Sequence, residues 1–245
     1  MKLAFLSDIH SNYDALQVVL AHIKQQKAEK IFCCGDIVGY NAQPNECCDA
    51  MQALGAVCVK GNHEDLLLGS RGQEGLSGPA GDAISWQKKI VSKDNKFFLR
   101  ALPAEVLIDG FSSRMTHASP YEPTNYHYVL SEGATVEAFN SFKEQVCIIG
   151  HTHEPIAYRQ NIKYKTHEEI YGDEVQIEEG FKYIINVGSV GQPRDNYPKS
   201  CVYIYDIQEK VFRRKRLAYD IPSAQKKIRE AGLPDYLAER LESGS

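Results

Sequence analysis

Long apolar runs are absent from this chain of 245 residues. No stretch approaches the roughly 20 residues that span a bilayer, so a helical membrane protein is not expected. The first residues, MKLAFLSDIH, carry one lysine, too short an apolar run for a secretory leader, and no small-residue cleavage site. An excess of one charge is lacking too. The 28 basic residues against 32 acidic ones leave a net charge of −4 and a pI near 6.1. That balance does not advertise a nucleic-acid or membrane surface. There is no C-x-x-C pair, and the seven cysteines are odd in number. Cys33, Cys34, Cys58 and Cys147 sit among apolar neighbours, so the cysteines read as reduced core thiols, which points to a cytoplasmic protein. A P-loop is missing, and G-x-S-x-G fails at Ser189 because position 187 is valine. No internal repeat, low-complexity tract or dividing linker appears, so one domain over 1–245 is expected.

What is present is an ordinary globular composition, 43% apolar and 24% charged, on a chain long enough to bury a core. KLAFLSD (2–8), KIFCCGD (30–36) and AVCVKGN (56–62) read as buried strands. Between them Leu16, Val19, Leu20 and Ile23, then Cys47, Ala50, Met51 and Leu54, recur at helical spacing, with Pro44 near the second helix start. Strand, helix, strand, helix, strand is an α/β pattern with parallel strands and right-handed crossovers. Residues 66–102 interrupt it. GSRGQEGLSGPAGD (69–82) reads as a loop or lid, with helical material around Ile84, Ile90 and 97–99. Short strand-like runs then dominate, broken by a helical stretch at 131–142, and a helical tail is expected from about 222.

Polar residues gather where the strands end. SDIHSN supplies Asp8 and His10, CGDIVGY supplies Asp36, and KGNHED supplies Asn62 and His63. SSRMTHASP ends in His117, and CIIGHTHEP in His151 and His153. Ligands of open α/β sheets bind outside the carboxyl ends of the strands. Residues i and i+2 at a strand end point to the same side, so Asp8 and His10 are expected to form one pair, and His151 and His153 to form another or to reach two neighbouring ions. Imidazole and carboxylate suit Zn, Fe, Mn, Co or Ni. Asp8, His10, Asp36, Asn62, His117, His151 and His153 are too many for one tetrahedral ion but suit two divalent metal ions sharing a carboxylate. Two ions about 3.5–4 Å apart are the usual device for clamping a phosphoryl centre and activating water.

D-x-H, G-D, G-N-H-[DE], a single H and G-H-x-H, in that order, resemble the signature of the calcineurin-like metallophosphoesterases over roughly residues 1–220. SDIHSNYDAL, GDIVGY and NVGSVGQPRD resemble its small prokaryotic phosphodiesterase-like branch. Protein phosphatases of the superfamily carry an arginine shortly after G-D; IVGY stands here, which counts against a protein substrate. The resemblance implies a four-layer α/β/β/α sandwich of two mixed sheets flanked by helices. It implies that Asp8, His10 and His153 hold one ion, that Asn62, His117 and His151 hold the other, and that Asp36 bridges both. His63 is implied as the catalytic residue beside the leaving group, as general acid or hydrogen-bond donor. A metal-bridging hydroxide is implied as the nucleophile, attacking in line on a phosphodiester or small activated phosphate. Phosphomonoesterase or nucleotide pyrophosphohydrolase activity is the alternative, and a non-catalytic protein-binding scaffold is the alternative of another class.

Tyr40, Ser189 and Arg194 are candidate substrate-binding residues, the last two because the Gly-rich segment 186–195 lies near the metals in that family. The aromatic run 120–128 reads either as a stacking surface or as a packed loop. RRKR (213–216) reads as a solvated strand, with nucleic acid the disfavoured partner beside a small phosphate ester. His22, His127 and His167 read as ordinary surface histidines.

Overall fold

Leu3, Ala4, Phe5 and Leu6 are buried without a break, as a strand covered on both faces requires. They form β1 (Lys2–Leu6), and its side chains alternate between two cores. Leu3 and Phe5 join the core between two sheets, whereas Ala4 and Leu6 join the core beneath helices. In this computed structural model residues 1–70 and 78–245 are described. After β1 come α1 (Tyr13–Gln25), β2 (Lys30–Cys33), α2 (Pro44–Ala53), β3 (Val57–Cys58) and α3 (Asn62–Leu68). α4 (Gly78–Ile90), α5 (Lys93–Ala101), β4 (Glu105–Ile108), β5 (Ser113–Thr116), α6 (Glu132–Asn140) and β6 (Val146–Ile149) follow. The remainder is β7 (Ala157–Asn161), β8 (His167–Ile170), β9 (Glu174–Gln176), β10 (Phe181–Asn186), β11 (Ser200–Asp206), β12 (Val211–Leu217), α7 (Ile221–Glu230) and α8 (Asp235–Ser243).

Two mixed six-stranded sheets result, in the orders β3-β2-β1-β11-β12-β9 and β4-β5-β6-β10-β7-β8. β3, β2 and β1 run parallel, as do β5, β6 and β10. Tyr203 and Tyr205 of β11 meet Val146, Ile148, Tyr183 and Ile185 of the second sheet in the shared core. The intervening Val202 and Ile204 pack with α1 and α2 instead. On the far face of the second sheet, Cys147, Ile149 and Ile184 pack against Ala138 and Phe139 of α6. The layers are therefore helix, sheet, sheet, helix, the expected α/β/β/α sandwich. Phe5 stacks on Phe32 at 5.1 Å between ring centres and lies 5.5 Å from Phe212. Truncating such a ring costs about 3–5 kcal/mol.

Helix ends follow local chemistry. Asn12 accepts from Ala15 N at α1, Ser92 from Asn95 N at α5, and Asp220 from Ser223 N at α7. Three expectations change. The third strand is only Val57–Cys58, and Asn62 and His63 stand on the first turn of α3, not at a strand end. Residues 78–82, expected in a loop, begin α4, because Gly81, Ala83, Ile84 and Gln87 form a buried helical face. The rest of that loop, 71–77, lies outside the described residues. β8 and β9 had no clear alternating signature and were not anticipated. All seven cysteines are buried and free.

Candidate metal centre

The sheets converge on one edge through their loops. Val190 N donates to Ser7 O at 2.9 Å and Gly191 N to Asp8 O at 3.0 Å, tying the loop after β10 to the loop after β1. Gly150 N donates to His117 O at 2.8 Å, tying the loop after β6 to the one after β5. Asp8, His10 and Asp36 adopt left-handed φ angles of 52°, 49° and 52°, and His151 and His153 adopt 69° and 64°. Each such residue costs roughly 1–2 kcal/mol. For the turns after β1 and β2 the cost is offset by backbone bonds between them: Asp8 N to Gly35 O at 3.0 Å, His10 N to Asp36 O at 2.9 Å, and Ser11 N to Ile37 O at 2.9 Å. Strand alternation, the expected means of aiming these pairs, is replaced by this strained turn geometry.

The polar groups form two groups joined by a carboxylate. Asp8, His10 and His153 present ligand atoms within 4.8 Å of one another, as do Asp36, His117 and His151. Asp36 Oδ2 lies 3.6 Å from His10 Nε2 in one group and 3.4 Å from His117 Nε2 in the other. Asn62 Oδ1 is 3.0 Å from His117 Nε2, and His151 Nδ1 is 3.1 Å from that same nitrogen. His63 is buried at one side, its Nε2 4.0 Å from Asp36 Oδ2 and its ring 4.6 Å from that of His10. All seven expected ligands and His63 are thus brought together.

The donor set fits cations. His10, His117 and His153 each direct Nδ1 to a backbone carbonyl: Val38 O at 3.0 Å, Cys34 O at 2.7 Å and Gln192 O at 2.5 Å. A carbonyl only accepts, so Nδ1 carries a proton, and in the neutral ring Nε2 is left with a lone pair. His10 Nε2 and His153 Nε2 nevertheless face each other at 3.0 Å, with Asp8 Oδ1 3.1 Å from the latter. Two lone pairs and a carboxylate oxygen in contact need a cation or a proton between them. Backbone carbonyls orienting histidines from behind are what metal ligation calls for.

The electrostatics agree. Burial opposes ionisation of Asp8 and Asp36, yet the surrounding histidines outweigh it and hold both well below the usual carboxylate range. Burial pushes His63 and His151 down to about 3 and His153 to about 4. Burial also opposes charge on His117, but Asp36 and Asp8 overcome it and raise this one ring to about 9. One proton on His117 thus offsets the aspartates where a cation would otherwise do so.

Supporting residues were largely missed by sequence reasoning. Glu64 is fully buried and accepts from Asp36 N at 2.9 Å, Gly61 N at 2.7 Å and Val38 N at 3.2 Å, binding the G-D loop to α3. Burial and Asp36 raise it to about 7 against those amides. Its place three residues after Gly61, as in a capping box, was the available signal. Gln87 of α4 and Asn186 of β10 had none. Asn186 Nδ2 donates to Gly150 O at 2.7 Å and Thr152 Oγ1 at 2.9 Å, and its Oδ1 accepts from Gly188 N at 2.9 Å. Gly39 has φ +106°, and a Cβ there would stand 2.3 Å from His63 Nδ1.

The remaining candidates separate. Tyr40 is buried with its ring 4.5 Å from His10 and 4.6 Å from His63, and its hydroxyl accepts from Arg194 Nη2 at 3.0 Å. Ser189 is fully buried; its hydroxyl donates to Asp8 O and accepts from Gln192 N, both at 2.8 Å, so it is engaged with the backbone. In the 120–128 run Tyr128 stacks on His151 at 4.1 Å, and Tyr126 donates to Asp65 Oδ2 at 2.7 Å. His127 pairs with Glu122 at the surface. Arg213, Arg214 and Arg216 of β12 lie on Glu174, Asp173 and Asp195, as a solvated strand would.

Comparison with known proteins places this arrangement. The profile of the calcineurin-like phosphoesterase superfamily domain matches residues 1–210. The Methanocaldococcus jannaschii protein MJ0912 is 37% identical over 241 residues, covering 98% of this chain and 96% of its own length. The crystal structure of a metallophosphoesterase from Sphaerobacter thermophilus is 31% identical, covers the whole of both chains and superimposes with a TM-score of 0.87. Protein PH1004 from Pyrococcus horikoshii OT3, 17% identical over all of this chain and 98% of its own, shares the fold with a TM-score of 0.81.

Proposed function

The chain belongs to the calcineurin-like phosphoesterase superfamily, and from that premise we propose that it hydrolyses phosphodiester or small activated phosphate bonds with two divalent ions. One observation carries the reading: Asp36 Oδ2 stands between the His10 and His117 nitrogens, so one carboxylate serves both ligand groups. Asp8, His10 and His153 would hold one ion, Asn62, His117 and His151 the other, with Asp36 shared. When bound, such ions supply Lewis acidity at a phosphoryl oxygen and acidify a water for attack.

The chain's own residues do the rest. Val38, Cys34 and Gln192 carbonyls keep the three histidines in the ligating tautomer. His63, held down to about 3 by burial, is neutral at physiological pH. It therefore acts as a hydrogen-bond donor to the phosphoryl or leaving-group oxygen, in preference to a proton-donating imidazolium. Tyr40 closes the side of His10 and His63. Among the described residues no helix is long and apolar enough to cross a membrane. Seven free, buried thiols suit a reducing compartment, which supports the cytoplasm.

The test is elemental analysis beside hydrolysis of bis-p-nitrophenyl phosphate and p-nitrophenyl phosphate. The expected result is two ions per chain, with turnover abolished by chelator and by Asp36→Asn, and a diester rate above the monoester rate. Faster monoester hydrolysis assigns the phosphomonoesterase alternative. No metal uptake and no turnover with any of Mn, Fe, Zn, Co or Ni sinks the enzymatic reading.

A further inference from the structure

Arg194 and Arg240 converge on Tyr40 from opposite parts of the chain. Arg194 Cζ lies 5.8 Å from the Tyr40 ring centre and Arg240 Cζ, from α8, lies 5.9 Å from it. Arg194 Nη2 donates to the Tyr40 hydroxyl at 3.0 Å and to Gln192 Oε1 at 3.3 Å, while its Nε is buried without a hydrogen-bond partner. Arg240 Nε donates at 2.6 Å to the main-chain oxygen of Ser245, the last residue, and its Cζ lies 5.4 Å from the Tyr236 ring centre. Among the described residues no side-chain carboxylate pairs with either guanidinium, although the arginines of β12 each sit on one. Like charges half-buried together are unfavourable without an anion. Burial and then Arg194 lower the pKa of Arg240, as expected of a guanidinium brought close to a like charge.

The position gives this pair a role. Tyr40 touches His10 and His63, so the two guanidiniums stand one ring away from the candidate metal centre. α8, which supplies Arg240, lies beyond the 1–210 span matched by the superfamily profile. Guanidinium is the side chain best matched to phosphate oxygens. We infer that Arg194 and Arg240 form a second anion subsite beside the metal centre, and that the substrate is a phosphate ester carrying a second phosphate group. This deepens the phosphoesterase reading and rests on it for the reacting phosphoryl group alone. The second phosphate docks on Arg194 and Arg240, across Tyr40 from the metal ligands, and orients the ester.

Calorimetric titration of the full chain with adenosine 3′,5′-bisphosphate and with adenosine 5′-monophosphate tests this. The bisphosphate is expected to bind at least tenfold more tightly, with a steeper dependence on salt. Arg240→Gln should remove that advantage, and Arg240→Lys should restore part of it, which a merely structural role in α8 would not do. Equal affinity of the two nucleotides for the unaltered protein overturns the proposal, as does an equal loss for both in Arg240→Gln. The titration is repeated on Asp36→Asn protein. A bisphosphate preference that persists there shows that the subsite stands without an intact metal centre, and the same preference in an unaltered protein that turns over nothing under any metal keeps the subsite and sinks only the phosphoesterase reading.

Discussion

Gln87→Leu tests whether α4 is built into the site or merely lies beside it. Gln87 is fully buried. Its Oε1 accepts from Gly39 N at 2.8 Å, and its Nε2 donates to Asn41 O at 2.7 Å and Ser11 Oγ at 3.0 Å. Leucine fills much of the same volume, so cavity formation is a minor part of the change. It leaves the Gly39 N–H and the Asn41 carbonyl without those partners, while the Ser11 hydroxyl can rotate. Each buried orphan costs about 1–3 kcal/mol, so roughly 4 kcal/mol is expected for the pair. For a chain of this size about 2–4 °C of melting temperature is lost per kcal/mol, or on the order of 10 °C in all. Gly39 and Tyr40 hold left-handed φ angles of 106° and 51° next to His63, so their loop is displaced first. Gln87 touches none of the ligand side chains. Metal content should therefore persist while turnover falls at least tenfold. Calorimetric melting of the metal-loaded protein, with elemental analysis and kinetics on the same sample, reads all three. A melting temperature within about 2 °C of the unaltered protein, with full turnover, would refute the reasoning.

Two further perturbations reach other parts of the site. Asn186→Ala removes three hydrogen bonds from the turn that carries His151 and His153, so about 2–4 kcal/mol of stability and roughly 10–100-fold in metal affinity should be lost, read by unfolding and by competition with a chelating dye. An unchanged metal affinity would relegate Asn186 to packing. For the metal-free protein, His117 is raised from 6.5 to about 9, so its proton stabilises the fold fully below pH 6.5 and that contribution is lost as pH rises to 9. His63, His151 and His153 are lowered and act only below pH 6.5, and the aspartates act lower still. Chelator-treated protein should therefore lose about 3 kcal/mol between pH 6.5 and 9 relative to metal-loaded protein. Parallel stability curves for the two forms would show that His117 carries no such proton.

The candidate ligands were legible in the sequence because the residues around them carry strand signals. DIH follows an apolar run, GD follows another, and GHTH follows a third. Their order along the chain, and the parallel strand pattern over the first sixty residues, were enough to expect one edge and two ions. What misled was local backbone shape. Asn62 and His63 begin a helix, since Gly61 and Glu64 cap it, and the i, i+2 pairs are aimed by left-handed turns locked through long-range backbone bonds. The bonds of the Ser189 hydroxyl to Asp8 O and Gln192 N were not legible either, because a hydroxyl's partners are not written in its neighbours.

By itself, then, the sequence determined the strand–helix alternation of the first sixty residues and the inventory of imidazole and carboxylate at the strand ends, since both depend on short-range periodicity and chemistry. Only the tertiary structure decided that Asp36 Oδ2 stands within 3.6 Å of His10 Nε2 and 3.4 Å of His117 Nε2, that Gln87, Asn186 and Glu64 hold the loops, and that Arg240 reaches Tyr40. Those contacts join residues far apart in the chain, and their distances are set by sheet register and helix docking, which no local pattern encodes.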